Sequence, residues 1–140
     1  MTKKIIISVV SILATAVIIG CLAMFLFHRQ NERKLQTGME EFGIQKTDDI
    51  IIENYENNGG LWNDQSLDLS TQKDFDQFVG ENIMAPVTVT DESDSQSKTN
   101  PEDSNHVISF EYNIDNQEIH GRFSMRSSSE TNYVTLLING

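Results

Sequence analysis

An unbroken apolar run from Ile5 to Phe27 limits this chain more than any other feature of its sequence. It holds 23 residues without a charge, between Met1-Thr2-Lys3-Lys4 and His28-Arg29-Gln30-Asn31-Glu32-Arg33-Lys34. As a helix it would measure about 34 Å, enough to cross a hydrocarbon layer of about 30 Å with some tilt. The expectation is a short head over residues 1–4, a single transmembrane helix over 5–27, and a polar domain displayed on one side of the membrane.

A cleaved secretory signal fits less well. Such signals have an apolar stretch of about 7–15 residues and a small-x-small cleavage site. This run is longer, and it ends in the bulky Leu22-Ala23-Met24-Phe25-Leu26-Phe27. Val17-Ile18-Ile19-Gly20-Cys21 has the outline of a lipoprotein signal, which would make Cys21 a lipidation site. Six further apolar residues after Cys21 argue against that, and a small apolar residue inside a helix is the simpler account of Cys21.

Orientation rests on flanking charge. Lys3 and Lys4 stand on one side, and Arg29, Arg33 and Lys34 on the other, which is close to a tie. The short head resembles an ordinary n-region, so the expectation is an extracytoplasmic domain. Cys21 is the only cysteine, which excludes an intramolecular disulfide, and there is no Asn-x-Ser/Thr site. Both facts direct the expected location to a bacterial cell membrane.

Residues 28–43 read as a juxtamembrane helix. Leu35, Met39 and Phe42 fall at i, i+4 and i+7 in one narrow stripe, and Gly43 suits a C-cap. Residues 44–140 then make up one small domain, with 18 acidic against five basic residues. Charge of this sign repels nucleic acid and anionic lipid and suits a basic protein partner.

Within the domain, Ile50-Ile51-Ile52 reads as a strand closed by the turn residues Asn57-Asn58-Gly59-Gly60. Thr71 to Asp74 has the spacing of a capping box, followed by a short helix that puts Phe75, Phe78 and Val79 on one face. Ala85 to Thr90 reads as a brief strand with Pro86 near its entry. Ile108, Phe110, Tyr112 and Ile114 alternate with polar residues, as do Ile119, Phe123 and Met125, which predicts a hairpin. A loop at Asn116-Gln117 would set Phe110 opposite Phe123 and Glu111 opposite Arg122; a loop at Asp115-Asn116 keeps the faces and loses that charge pair, so the first register is expected. Tyr133 to Ile138 supplies a third strand. The fold class is therefore α+β: a transmembrane helix, then an antiparallel meander covered by one or two short helices. Asp91 to Asn105 contains no apolar residue and is expected to be a mobile loop.

No constellation of catalytic residues emerges. Asp91, Ser93, Ser95 and Glu102 mimic the spacing of a calcium loop, but Gln96 stands where the glycine is needed and Pro101 intrudes. In the expected register His120 faces Asn113 while His106 lies near the other end of the hairpin, so the two share no ion. There is no Gly-x-Ser-x-Gly and no glycine-rich phosphate loop. No enzymatic activity, cofactor, metal or small-molecule substrate is expected. Trp62, the only tryptophan, follows a turn, with Asp64 and Asp68 close behind it. These three are the candidate partner-binding residues, because Trp concentrates binding energy at interfaces and the acids suit a basic partner. Core filling by Leu61 and Trp62 is the competing account. The functional expectation is an anchored, non-enzymatic macromolecule-binding domain. It would serve as an immunity or antagonist protein against a secreted toxin, or else as an accessory subunit of an envelope assembly or a lipoprotein-type ligand-binding domain.

Overall fold

In the computed structural model, residues 2–58, 64–96 and 104–139 are described, with side-chain surroundings from residue 13 onward. Two units result, Met1–Lys34 and Leu35–Gly140. The first is helical and belongs to α1, Thr2–Glu41. Every residue from 13 to 34 is exposed, including Leu13, Val17, Ile18, Leu22, Phe25 and Phe27. The helix is long and apolar enough to cross a membrane.

The described residues of the second unit contain six strands: β1 Ile50–Asn57, β2 Gln65–Thr71, β3 Thr88–Gln96, β4 Ser104–Ile114, β5 Gln117–Arg126 and β6 Asn132–Ile138. They form one antiparallel sheet in the order β1-β2-β6-β5-β4-β3. The expected meander is present as β4-β5-β6, and the α+β layout follows. A short helix, α2 (Phe75–Asn82), lies in the connection from β2 to β3, which must pass from one end of the sheet to the other.

One face of the sheet carries the core. Leu67, Leu69, Phe110, Tyr112, Ile119, Phe123, Val134 and Leu136 project from it and are almost fully buried. The last turns of α1 contribute Leu35 and Met39, and Phe42 follows them; α2 contributes Phe75, Phe78 and Val79. Both stripes legible in the sequence thus serve as covers. Gly43 ends the α1 segment at φ +61°, a left-handed conformation that costs glycine little, and the Ile44 amide returns to the Met39 carbonyl at 2.8 Å. The buried Tyr112 hydroxyl donates to the Phe42 carbonyl at 2.7 Å, and this burial pushes the tyrosine pKa up.

Four expectations need correction. The β4–β5 loop is Asp115-Asn116, with φ +50° and +66°. These values fit a type I′ turn, which matches strand twist and needs positive φ at both positions, and Asp and Asn adopt it more readily than Gln would. The observed register opposes Ile108 to Phe123, Phe110 to Gly121 and Glu111 to His120, so turn geometry outweighs the Glu111–Arg122 pair. Gly121 has its own reason: the Phe110 ring lies over it where a Cβ would collide.

The loop expected over 91–105 is also displaced. Asp91–Gln96 belongs to β3 and Ser104–Asn105 to β4, hydrogen-bonded to each other, while 97–103 lie outside the described residues. Composition misleads here because every side chain of β3 is exposed, so no apolar alternation is needed. The brief strand expected over 85–90 begins only at Thr88. Finally, Asp74 rather than Thr71 caps α2, its carboxylate accepting the Gln77 amide at 2.9 Å, while the Thr71 hydroxyl accepts the Lys73 amide.

Candidate functional site

The two edges of the sheet differ in what lies beside them. At β1, Tyr55 is buried against Gly38 and its hydroxyl donates to Glu41. Close by, Lys73 ties the segment before β1 to α2. Its Nζ is 3.0 Å from Thr47 Oγ1, 2.9 Å from Asn82 Oδ1, 3.0 Å from Asp49 Oδ2 and 2.8 Å from Glu81 Oε2. The fully buried Asn82 in turn donates to the Gln45 carbonyl and to Thr47 Oγ1. Burial alone would lower the Lys73 pKa; the hydrogen bonds to Glu81 and Asp49 outweigh it and the net change is upward. Asp49 moves the opposite way, held down by hydrogen bonds from Thr47 and Lys73. With its cation sequestered on all sides, this cluster works as a clamp.

Beside β3 the arrangement opens. A groove of about 450 Å³ is floored by Phe75, Val89, Ile108 and Met125 and rimmed by Asp74, Asp76 and Glu92. Among the described residues its lining has three carboxylates and no Lys or Arg. The sequence builds it in three steps. Asp74 is present because a helix N-terminus takes a capping carboxylate, and Asp76 sits in the first turn where the helix dipole favours an acid. Phe75 stacks edge-on to Phe110 and Phe123, at centroid distances of 5.4 and 5.6 Å. Glu92 stands opposite Ile108 and Val89 opposite Phe110, so both lie on the same side of the sheet as the core.

Next to the groove, His106 is held by two acids of β3. Its Nδ1 is 2.6 Å from Asp94 Oδ1 and its Nε2 is 2.9 Å from Glu92 Oε1. A neutral imidazole has one N–H, so only the imidazolium donates to both. The Asp94 hydrogen bond is the main cause of a raised His106 pKa, partly opposed by burial. The acidic rim thus already holds a cation when His106 is protonated.

The sequence candidates lie elsewhere. Trp62 is outside the described residues. Asp64 is exposed at the start of β2, its carbonyl accepting the Asn58 amide. Asp68 is on the face opposite the core, where Thr135 Oγ1 donates to it at 2.8 Å. The fold separates Asp68 from Asp74, Asp76 and Glu92 by the thickness of the sheet. Cys21 is exposed on α1. Nothing in the sequence marks the groove, because its floor and rim come from α2, β3, β4 and β5 and converge only through the sheet order.

The observed hairpin register also gathers Glu111, Glu118 and His120, whose ligand atoms lie within 4.8 Å of one another. Among the described residues this is the group with the donor types to hold a divalent cation. It is exposed at Glu118 and His120. His106 is remote from it in the ladder, opposite Met125, so the two histidines do not share an ion. No family model matches this chain, and no curated protein or solved structure is detectably similar to it.

Proposed function

We propose that this is a membrane-anchored, non-enzymatic capture protein, with α1 holding it to the bilayer and the groove beside β3 receiving a basic protein partner. The observation that supports this reading is the groove itself: an apolar floor, three rim carboxylates and, among the described residues, no basic residue in the lining. A Lys or Arg side chain has the matching form, an apolar stem with a cationic head. The surplus of acids over bases in residues 44–140 extends the attraction beyond contact range and speeds encounter with a cation-rich surface. In a bacterial envelope with the domain outward, the fitting role is that of an immunity or antagonist protein that occupies a basic secreted toxin.

Protease shaving of a C-terminal epitope on intact cells tests the topology that this role requires. Removal of the epitope from outside is expected; protection until the membrane is opened overturns the reading. Reversing the rim with Asp76→Lys and Glu92→Lys is expected to abolish capture of a cationic partner while leaving the fold intact.

A second reading draws on the exposed apolar surface of α1 over residues 13–27. An accessory subunit of an envelope assembly would use that surface against other membrane helices. Exchange of residues 5–27 for an unrelated span separates the two readings: capture tolerates the exchange, and assembly through the membrane does not.

A further inference from the structure

Strand β3 ends the sheet. Among the described residues it is hydrogen-bonded to β4 on one side only, and all nine of its residues, Thr88–Gln96, are exposed. In an antiparallel edge strand every second backbone N–H and C=O points away from the sheet, so β3 offers a row of main-chain donors and acceptors. Proteins commonly guard such an edge with charged side chains, proline, a bulge or a covering element. Here the edge carries Asp91, Glu92 and Asp94 and no basic residue. Its one irregularity lies between Val89 and Asp91, which leaves Asp91–Gln96 as a continuous regular stretch of six residues.

We infer that β3 binds a cationic, extended segment of a protein partner as a seventh strand of the sheet. This inference rests on the capture reading and adds how the partner is held: main-chain hydrogen bonds along Asp91–Gln96, with alternate side chains on the two faces. The register of β3 sets the charge on each face. Asp91 stands opposite Ser109 on the outer face, while Glu92 and Asp94 stand opposite Ile108 and His106 on the core side. An added strand with Lys or Arg at alternate positions would put these cations beside Glu92 and Asp94, with the apolar floor at Val89 and Ile108 next to them.

Charge also disfavours a second copy of this chain as the occupant. Pairing β3 with β3 brings Asp91, Glu92 and Asp94 against the same acids, and pairing it with β1 brings them against Glu53 and Glu56. Like charges directly opposite destabilise a strand pair. The edge is thus closed to its own kind and open to a strand of opposite sign.

The test uses the full chain in nanodiscs and two synthetic dodecapeptides of alternating Lys and Val. One is unmodified; the other carries N-methyl groups on every second residue, which remove main-chain donors from one edge and keep the charge. Affinity is read by fluorescence anisotropy, and the β3 amides are followed by hydrogen exchange. The expected result is binding of the unmodified peptide with slowed exchange within Asp91–Gln96, and binding of the methylated peptide at least roughly tenfold weaker. Asp91→Lys with Glu92→Lys and Asp94→Lys should weaken binding of the unmodified peptide by a similar factor, again roughly tenfold. Equal binding of the two peptides overturns strand addition and leaves capture by charge standing. Failure of both to bind overturns strand addition and the capture reading together.

Discussion

The two edge strands of this sheet make opposite uses of similar residues. Both carry acids, and both lie near a basic side chain held by two carboxylates: Lys73 with Asp49 and Glu81 near β1, His106 with Glu92 and Asp94 at β3. Near β1 the cation is also bound by Thr47 and Asn82 and is nearly buried, and Tyr55 is packed under the end of α1. At β3 the histidine is half-buried, its acids are exposed, and no side chain of the strand is buried. Burial rather than residue type separates a clamp from a binding surface.

The sharpest way to break this contrast is to truncate one side chain on each edge. Tyr55→Ala removes a buried ring from beneath α1 and should cost about 3–4 kcal/mol, the usual loss for a large buried aromatic. Val89→Ser, on exposed β3, should change stability by less than about 0.5 kcal/mol, as surface substitutions generally do. Chemical denaturation of the full chain in detergent measures both. A comparable loss at both positions would mean that β3 is a structural edge like β1.

Next in size is the clamp. Lys73→Met keeps the apolar stem and removes the ammonium, leaving Asn82 Oδ1 and Thr47 Oγ1 without that donor. The expected loss is about 2 kcal/mol, from charge-assisted hydrogen bonds in a nearly buried setting. Because the folded-state pKa of Asp49 lies below its ordinary value of 3.8, the share that Asp49 contributes is complete above that pH. It is lost as pH falls through the folded value, so the wild-type advantage over Lys73→Met should narrow in acid. An unchanged gap down to strongly acidic pH would remove Asp49 from the clamp.

The same contrast explains what could be read from the sequence. The meander strands were legible because β4, β5 and β6 each bury one face, so apolar residues recur every second position from Ile108 to Ile138. The α1 and α2 stripes were legible for the equivalent reason at helical spacing. Strand β2 went unseen: with Ser70 and Thr71 buried as well as Leu67 and Leu69, its apolar alternation stops halfway. Strand β3 is legible only at Thr88 to Thr90, within the strand expected over 85–90; beyond them it buries nothing and has no pattern to display. The hairpin register is not legible because a visible charge pair, worth about 0.2–1 kcal/mol, competes with a turn preference that dictates both central residues. The groove was beyond reach altogether, because Phe75, Val89, Ile108 and Met125 meet only once α2 has carried the chain across the sheet.

The smallest effect expected belongs to His106, and it has the opposite sign in pH. Its folded-state pKa is raised above 6.5 by Asp94 and Glu92. The stabilisation it gives is therefore complete below about pH 6.5 and is lost as pH rises through the folded value. His106→Asn should be slightly less stable than wild type in mild acid and should match it at alkaline pH. Nuclear magnetic resonance titration of the His106 ring gives the direct check, with a midpoint above that of a free imidazole expected in wild type and a lower one in Asp94→Asn. Deprotonation also releases Glu92 and Asp94 from their internal cation, so a cationic segment competes with His106 for the same carboxylates. Its affinity for β3 should rise across the His106 titration and lose that rise in His106→Asn. Affinity independent of pH in both proteins would separate the histidine clamp from the binding edge, and would leave the main-chain row of β3 as the feature that holds the partner.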